Sequence, residues 1–127
     1  MIKVFIPSQK EFKIFEEECK ILYENVQDKI TDTNDFEFIT KNTFFFLFTN
    51  DENLIGAIYF FVDENNRLML NGFSKRKTFL LNIECLKMSL NWFKGDIFAQ
   101  AQNRASALCL LKCGFKRFEK NVFVYKH

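Results

Sequence analysis

The sequence predicts an α/β (α+β) fold, with one mixed central sheet, helices on both faces and a single domain over residues 1–127. Three observations predict it. Three apolar runs, "TFFFLFT" at 43–49, "LIGAIYFFV" at 54–62 and "RLMLNGF" at 67–73, follow one another across short polar turns. That is the pattern of an antiparallel meander, and runs this continuous imply strands covered on both faces. Two longer segments carry apolar residues at helical spacing. The unit from 67 to 101 reads strand–helix–strand, so its two strands should lie parallel with a right-handed crossover.

Taken in order, "IKVFI" at 2–6 alternates enough for a short strand. A helix follows from about 9 to 27, with Phe12, Phe15, Cys19, Leu22 and Tyr23 on one stripe. Ser8 and Glu11 have the spacing of a capping box at its start. Residues 28–42 are polar and turn-rich, with room for one short helical turn. "NDEN" at 50–53 and "DENN" at 63–66 are the turns of the meander. The next helix spans about 75–93, with Phe79, Ile83, Leu86, Leu90 and Phe93 as its stripe and Gly95 as its stop. Trp92 and Phe93 are expected to pack helix against sheet. "DIFAQA" at 96–101 reads as a strand, and Asn103 caps a helix that runs to Lys112 and ends at Gly114. "NVFVYK" at 121–126 is the last strand.

Composition narrows the function. No apolar run reaches the roughly 18 residues of a membrane span, and the N-terminus has no signal-peptide core, so a soluble cytoplasmic protein is expected. The four cysteines form no C-x-x-C pair and the only histidine is His127, so no metal site is expected and the thiols should be reduced. Charge is divided along the chain. Residues 1–71 hold 7 Lys/Arg and 13 Asp/Glu, whereas residues 72–127 hold 11 and 3. The second half is therefore the one to attract an anion. Lys75, Arg76 and Lys77 stand together at the expected start of the second helix, where the macrodipole disfavours cations.

The element order, with Asn103, Ser106, Lys112, Gly114 and Phe115 placed late, resembles the GCN5-related N-acetyltransferase (GNAT) superfamily. The resemblance in element order covers essentially the whole chain. It implies an acetyl-CoA site where the central strand meets the long helix, formed by Phe73, Ser74, Lys75, Arg76, Lys77 and Thr78 together with Asn103 and Ser106. It also implies that the strands ending near 73 and 100 splay to admit the pantetheine arm, lined by Phe73, Ser74, Gln100 and Gln102. The family's pyrophosphate loop follows Gln/Arg-x-x-Gly-x-Gly/Ala, whose glycines let backbone N–H groups approach the phosphates. Here Arg76 matches, but Phe79 and Leu81 occupy the glycine positions. The late-helix tyrosine that serves many members as general acid is replaced by Leu110. Residues 67–74 supply no glutamate to act as base. Tyr125 and Ser74 are the remaining catalytic candidates, with Tyr59 and Asn71 behind them.

A narrower resemblance, over roughly 67–120, is to small phage-encoded GNAT-like proteins of the virion or head-assembly kind. Such a protein would have phage structural proteins as partners and would reside in the virion. Three readings follow. The first is a non-catalytic GNAT-like domain acting through protein contacts. The second is an acetyl-CoA-dependent N-acetyltransferase acting on an amine of a protein or small molecule. The third is a nucleic-acid binder using its basic half, and no recognition motif favours it.

Overall fold

The computed structural model describes residues 1–30 and 32–127. Its strands are β1 (Ile2–Phe5), β2 (Phe44–Asn50), β3 (Asn53–Val62), β4 (Leu68–Ser74), β5 (Ile97–Gln100), β6 (Lys116–Glu119) and β7 (Val122–Tyr125). Its helices are α1 (Phe12–Val26), α2 (Phe36–Asn42), α3 (Phe79–Ser89) and α4 (Arg104–Lys112), with one 3-10 turn at Gln27–Lys29. The strands form one sheet in the order β1-β2-β3-β4-β5-β7-β6. Among the described residues only β4 and β5 pair in parallel, as the crossover through α3 requires.

Alternation along the strands divides the core between two faces. Phe45, Ala57, Tyr59 and Phe73 point towards α1 and α2, where Phe12, Cys19, Tyr23, Phe36 and Ile39 meet them. Phe60, Leu70, Ile97, Ala99 and Phe123 point the other way, onto Leu86 and Leu90 of α3 and Leu110 and Cys113 of α4. Phe93 and Trp92, just beyond α3, close that second face. Their ring centroids lie 4.4 Å from Phe60 and 4.5 Å from Phe46 respectively.

The structure departs from the sequence reading at four places. The Ser8–Glu11 capping box does not form. The chain turns at residues 7–11, Gln9 Oε1 accepts from Ile6 N–H at 2.8 Å, and α1 starts at Phe12 with no side-chain cap. The polar stretch 28–42 contains a full helix, α2, capped by Asp35, whose Oδ1 accepts from Phe38 N–H at 2.8 Å. Helix α3 begins at Phe79 rather than 75, because Lys77 is left-handed at φ +62° and no right-handed helix runs through such a residue. The three cations therefore occupy a turn ahead of the helix. Finally, "KRFE" at 116–119 is a strand at the sheet edge, paired only with β7. Its residues are all exposed, so no apolar alternation marks it, and its charges suit an unpaired edge.

Candidate functional site

Strands β4 and β5 stay in register only over Leu68–Leu70 and Ile97–Ala99. Beyond Leu70 they separate. β4 continues beside β3 to Ser74, while β5 ends at Gln100 and turns into the cap of α4. The separation opens a cavity of about 320 Å³. Its walls are the ends of β4 and β5 and the facing sides of α3 and α4. Phe73, Ser74, Gln100 and Gln102, the residues expected at such a splay, all line it.

Two helix N-termini reach this cavity. At α3, the first i→i−4 bond runs from Asn82 N–H to the Thr78 carbonyl (2.8 Å). The amides of Phe79, Leu80 and Leu81 lie ahead of that ladder, where a helix presents its positive end. Side chains hold the turn before it. Asn82 Nδ2 donates to Ser74 Oγ at 2.8 Å, and the Thr78 hydroxyl donates to the Lys75 carbonyl at 2.7 Å. At α4, Asn103 and Ser106 form a reciprocal capping box. Asn103 Oδ1 accepts from Ser106 N–H at 2.9 Å, and Ser106 Oγ accepts from Asn103 N–H at 3.1 Å. Both residues line the cavity.

The sequence-derived candidates do not all share one place. Arg76 and Lys77 are exposed on the turn, but Lys75 pairs with Glu18 of α1 at 2.5 Å. Phe79 lines the cavity, and Leu81 packs beside Phe48, Ile55 and Cys85. The two residues at the glycine positions therefore differ in placement, since one faces the cavity and the other the core. Leu110 is buried in the wall and supplies no proton. Tyr125 sits on β7 against Phe115 and His127, outside the cavity. Ser74 lies on the cavity wall.

Asn71 and Asp32 line a second cavity, of about 250 Å³, that shares Ile30, Leu70, Asn71, Gln100 and Gln102 with the first, and fully buried Tyr59 lies behind it. The Tyr59 hydroxyl accepts from Asn71 Nδ2 at 3.0 Å and donates to Asp32 Oδ2 at 2.5 Å. Burial, reinforced by that bond and by the Asp32 charge, pushes the Tyr59 phenol far above its ordinary value. It therefore stays a donor and cannot act as a base at neutral pH. Sequence pattern does not single out Asp32, because it lies in the turn-rich stretch. It also lies 27 positions from its partner. No local pattern joins the two.

A thiol also faces the first cavity. Cys109 lines it, one turn before Cys113 on α4. The Cys113 thiol, which donates to the Ile83 carbonyl at 3.7 Å, lies beside Cys109 and lowers the Cys109 pKa, against the effect of burial. The proximity of Cys109, with burial, raises that of Cys113. Among the described residues no group of three metal-ligating side chains occurs, and no helix is long and apolar enough to cross a membrane.

No protein-family model matches this sequence, and no curated protein matches it. The fold does match solved structures. An N-acetyltransferase from Staphylococcus aureus aligns with a TM-score of 0.69 at 13% identity, covering 99% of this chain and 97% of the other. A Bacillus subtilis acetyltransferase in complex with CoA aligns at 0.57 with 11% identity, covering 99% and 97%. The Campylobacter jejuni N-acetyltransferase PseH in complex with acetyl coenzyme A aligns at 0.54 with 17% identity, covering 100% and 99%. At such identities the likeness is one of fold. The seven-stranded mixed sheet with four helices is the GNAT fold.

Proposed function

We propose that this protein binds acetyl-CoA in the cavity between β4 and β5 and transfers the acetyl group to an amine. The observation that carries this reading is the separation of the two strands beyond Leu70, with the space it opens. That space is apolar over most of its wall and flanked by two helix N-termini, which suits an amide-bearing arm ending in phosphates. Solved proteins of the same fold hold CoA or acetyl coenzyme A. In this arrangement the amides ahead of α3, with Arg76 and Lys77, would hold the pyrophosphate. Gln100 and Gln102 would offer hydrogen bonds to the arm. Bound acetyl-CoA supplies an activated thioester, and the protein's part is to orient it, exclude water and present the amine.

The test is calorimetric titration with acetyl-CoA. The expected result is saturable binding that weakens about tenfold or more on changing Arg76 and Lys77 together to Ala, since each phosphate contact to a cation contributes roughly 1 kcal/mol. A second reading is a non-catalytic domain working through protein contacts, in the manner of a phage virion or head-assembly component. It draws on Phe79 facing the cavity, the Lys75–Glu18 pair and the lack of a proton donor at Leu110. Absence of saturable acetyl-CoA binding would overturn the first reading in favour of the second.

A further inference from the structure

The cavity that the cofactor would leave free is the one around Asp32. It opens beside the cofactor cavity and communicates with it through Leu70, Asn71, Gln100 and Gln102. Any acceptor reaching an acetyl group at the strand split would approach through that throat. We propose that this second cavity is the acceptor site and that it takes a primary alkylammonium group, held by the Asp32 carboxylate. The inference rests on the acetyl-transfer reading above.

Three observations support it. The first is how Asp32 is held. Its Oδ1 accepts from Asn34 N–H at 2.9 Å and from Asn34 Nδ2 at 3.0 Å. Its Oδ2 accepts the Tyr59 hydroxyl at 2.5 Å. A carboxylate offers about four acceptor positions, so one on Oδ2 remains for a ligand donor. The loop is fixed from behind, because Gln27 Nε2 donates to the Asp32 carbonyl at 2.8 Å and the Tyr23 hydroxyl donates to the Asn34 carbonyl at 2.5 Å. Tyr23 and Tyr59 are both fully buried, so this carboxylate is aimed by rigid groups. Positioning of that kind is what separates a built site from a surface acid.

The second observation is the rest of the wall. Phe61, Met69 and Leu70 give it an apolar side, which fits a methylene chain behind a charged head. Among the described residues no Lys or Arg lines this cavity, so no lining cation competes for the carboxylate. The third is the division of charge. Residues 12–42, which build α1, α2 and the Asp32 loop, carry 8 acidic and 4 basic side chains. The turn before α3 carries Lys75, Arg76 and Lys77. The polyanionic and cationic substrates would thus meet potentials of opposite sign on their own sides of the split.

The transfer balances without a further reactant. The bound ammonium group first gives one proton to water, and the neutral amine nitrogen then forms a bond to the acetyl carbonyl carbon as the carbon–sulfur bond breaks. CoA leaves as thiolate and takes a proton from solvent. The nitrogen proton, acidic once the C–N bond has formed, passes to Asp32 and on to water. Asp32 touches the substrate, while Tyr59 and Asn71 act as positioning residues through it.

The experiment has two arms. Turnover is followed by thiol release from acetyl-CoA with 1,4-diaminobutane and, separately, with an Nα-acetyl-lysine amide peptide. Whichever is accepted identifies a free amine or a lysyl side chain as the source. Asp32→Asn should raise the KM for the amine at least tenfold while the calorimetric affinity for acetyl-CoA stays unchanged, and Asp32→Glu should recover part of the loss. Tyr59→Phe should raise the amine KM more than it lowers kcat, a split that loss of stability alone does not produce. In the second arm, butylammonium is titrated into the protein without acetyl-CoA and followed by NMR. Shifts at Asn34, Tyr59 and Asn71 in the wild type, absent in Asp32→Asn, support the site even if acetyl-CoA fails to bind and the acyl-transfer reading falls. An unchanged amine KM in Asp32→Asn, or equal shifts in both proteins, overturns the proposal.

Discussion

Replacing Tyr59 by Phe removes one oxygen from the centre of the molecule, and the structure fixes what that should cost. The ring is fully buried and stacks on Phe45 with centroids 5.9 Å apart, so the apolar part of the side chain is unaffected. Lost are the charge-assisted bond to Asp32 Oδ2 and the acceptor for Asn71 Nδ2. A hydrogen bond to a charged group contributes roughly 1.5–3 kcal/mol net. The lower end applies here, because half-buried Asp32 keeps its two bonds from Asn34 and can recruit water. A loss of about 1.5 kcal/mol is expected. With an unfolding entropy of about 2.1 cal/mol/K per residue, 127 residues give about 0.27 kcal/mol/K, so Tm should fall by about 6 °C. Urea denaturation of Tyr59→Phe, Asp32→Asn and the double variant should show a coupling energy above about 0.5 kcal/mol, since the two groups share the bond removed. A Tm shift under about 1 °C, or additive single effects, would refute the bond as a stabilising contact and with it the fixed placement of Asp32.

Three further outcomes are expected. Asn103→Ala removes half of a reciprocal cap and should cost about 1 kcal/mol, measured by urea denaturation, with Asn103→Asp recovering most of it. Iodoacetamide should alkylate Cys109 first, because Cys19, Cys85 and Cys113 are buried and their thiols are pushed up, Cys85 to about 12. Acetyl-CoA should slow that labelling, as read by mass spectrometry. Tyr23 and Tyr59 are both held above the ordinary phenol range, first by burial and then by Asp32. Their contribution to stability is therefore full below about pH 10 and is lost as pH rises beyond it. In a Tyr125→Phe background, phenolate absorbance should appear together with unfolding rather than as a separate earlier step.

Most of the fold is legible because it follows from periodicity and topology. The meander, the parallel β4–β5 pair and the capped α4 each have a local signature of the kind that survives folding. The failures have physical causes. β6 carries its pairing in backbone bonds and leaves "KRFE" to solvent, so side-chain pattern says nothing about it. Apolar spacing starts α3 four residues early because it does not register a left-handed residue. Lys77 carries no glycine or asparagine to announce its positive φ.

The site divides along the same line. Phe73, Ser74, Gln100 and Gln102 are reached through the family resemblance, which implies the strand split, and in the structure the residues after the last shared register position are the ones exposed to the cavity. Asp32 is not, because its role exists only once α1 and α2 fold over β3 and β4. The basic turn likewise changes meaning. Read on the sequence, three cations oppose the α3 dipole. In the structure Lys75 pairs with Glu18, and the left-handed Lys77 keeps all three cations in the turn ahead of α3 rather than in its first turn. The penalty expected for cations inside a first turn therefore does not apply. What remains is a short positive turn, Arg76 and Lys77, beyond the end of β4. In the proposed reaction the cofactor and acceptor cavities share Leu70 and Asn71 of that strand. That shared border is where an acyl group and an amine would have to meet.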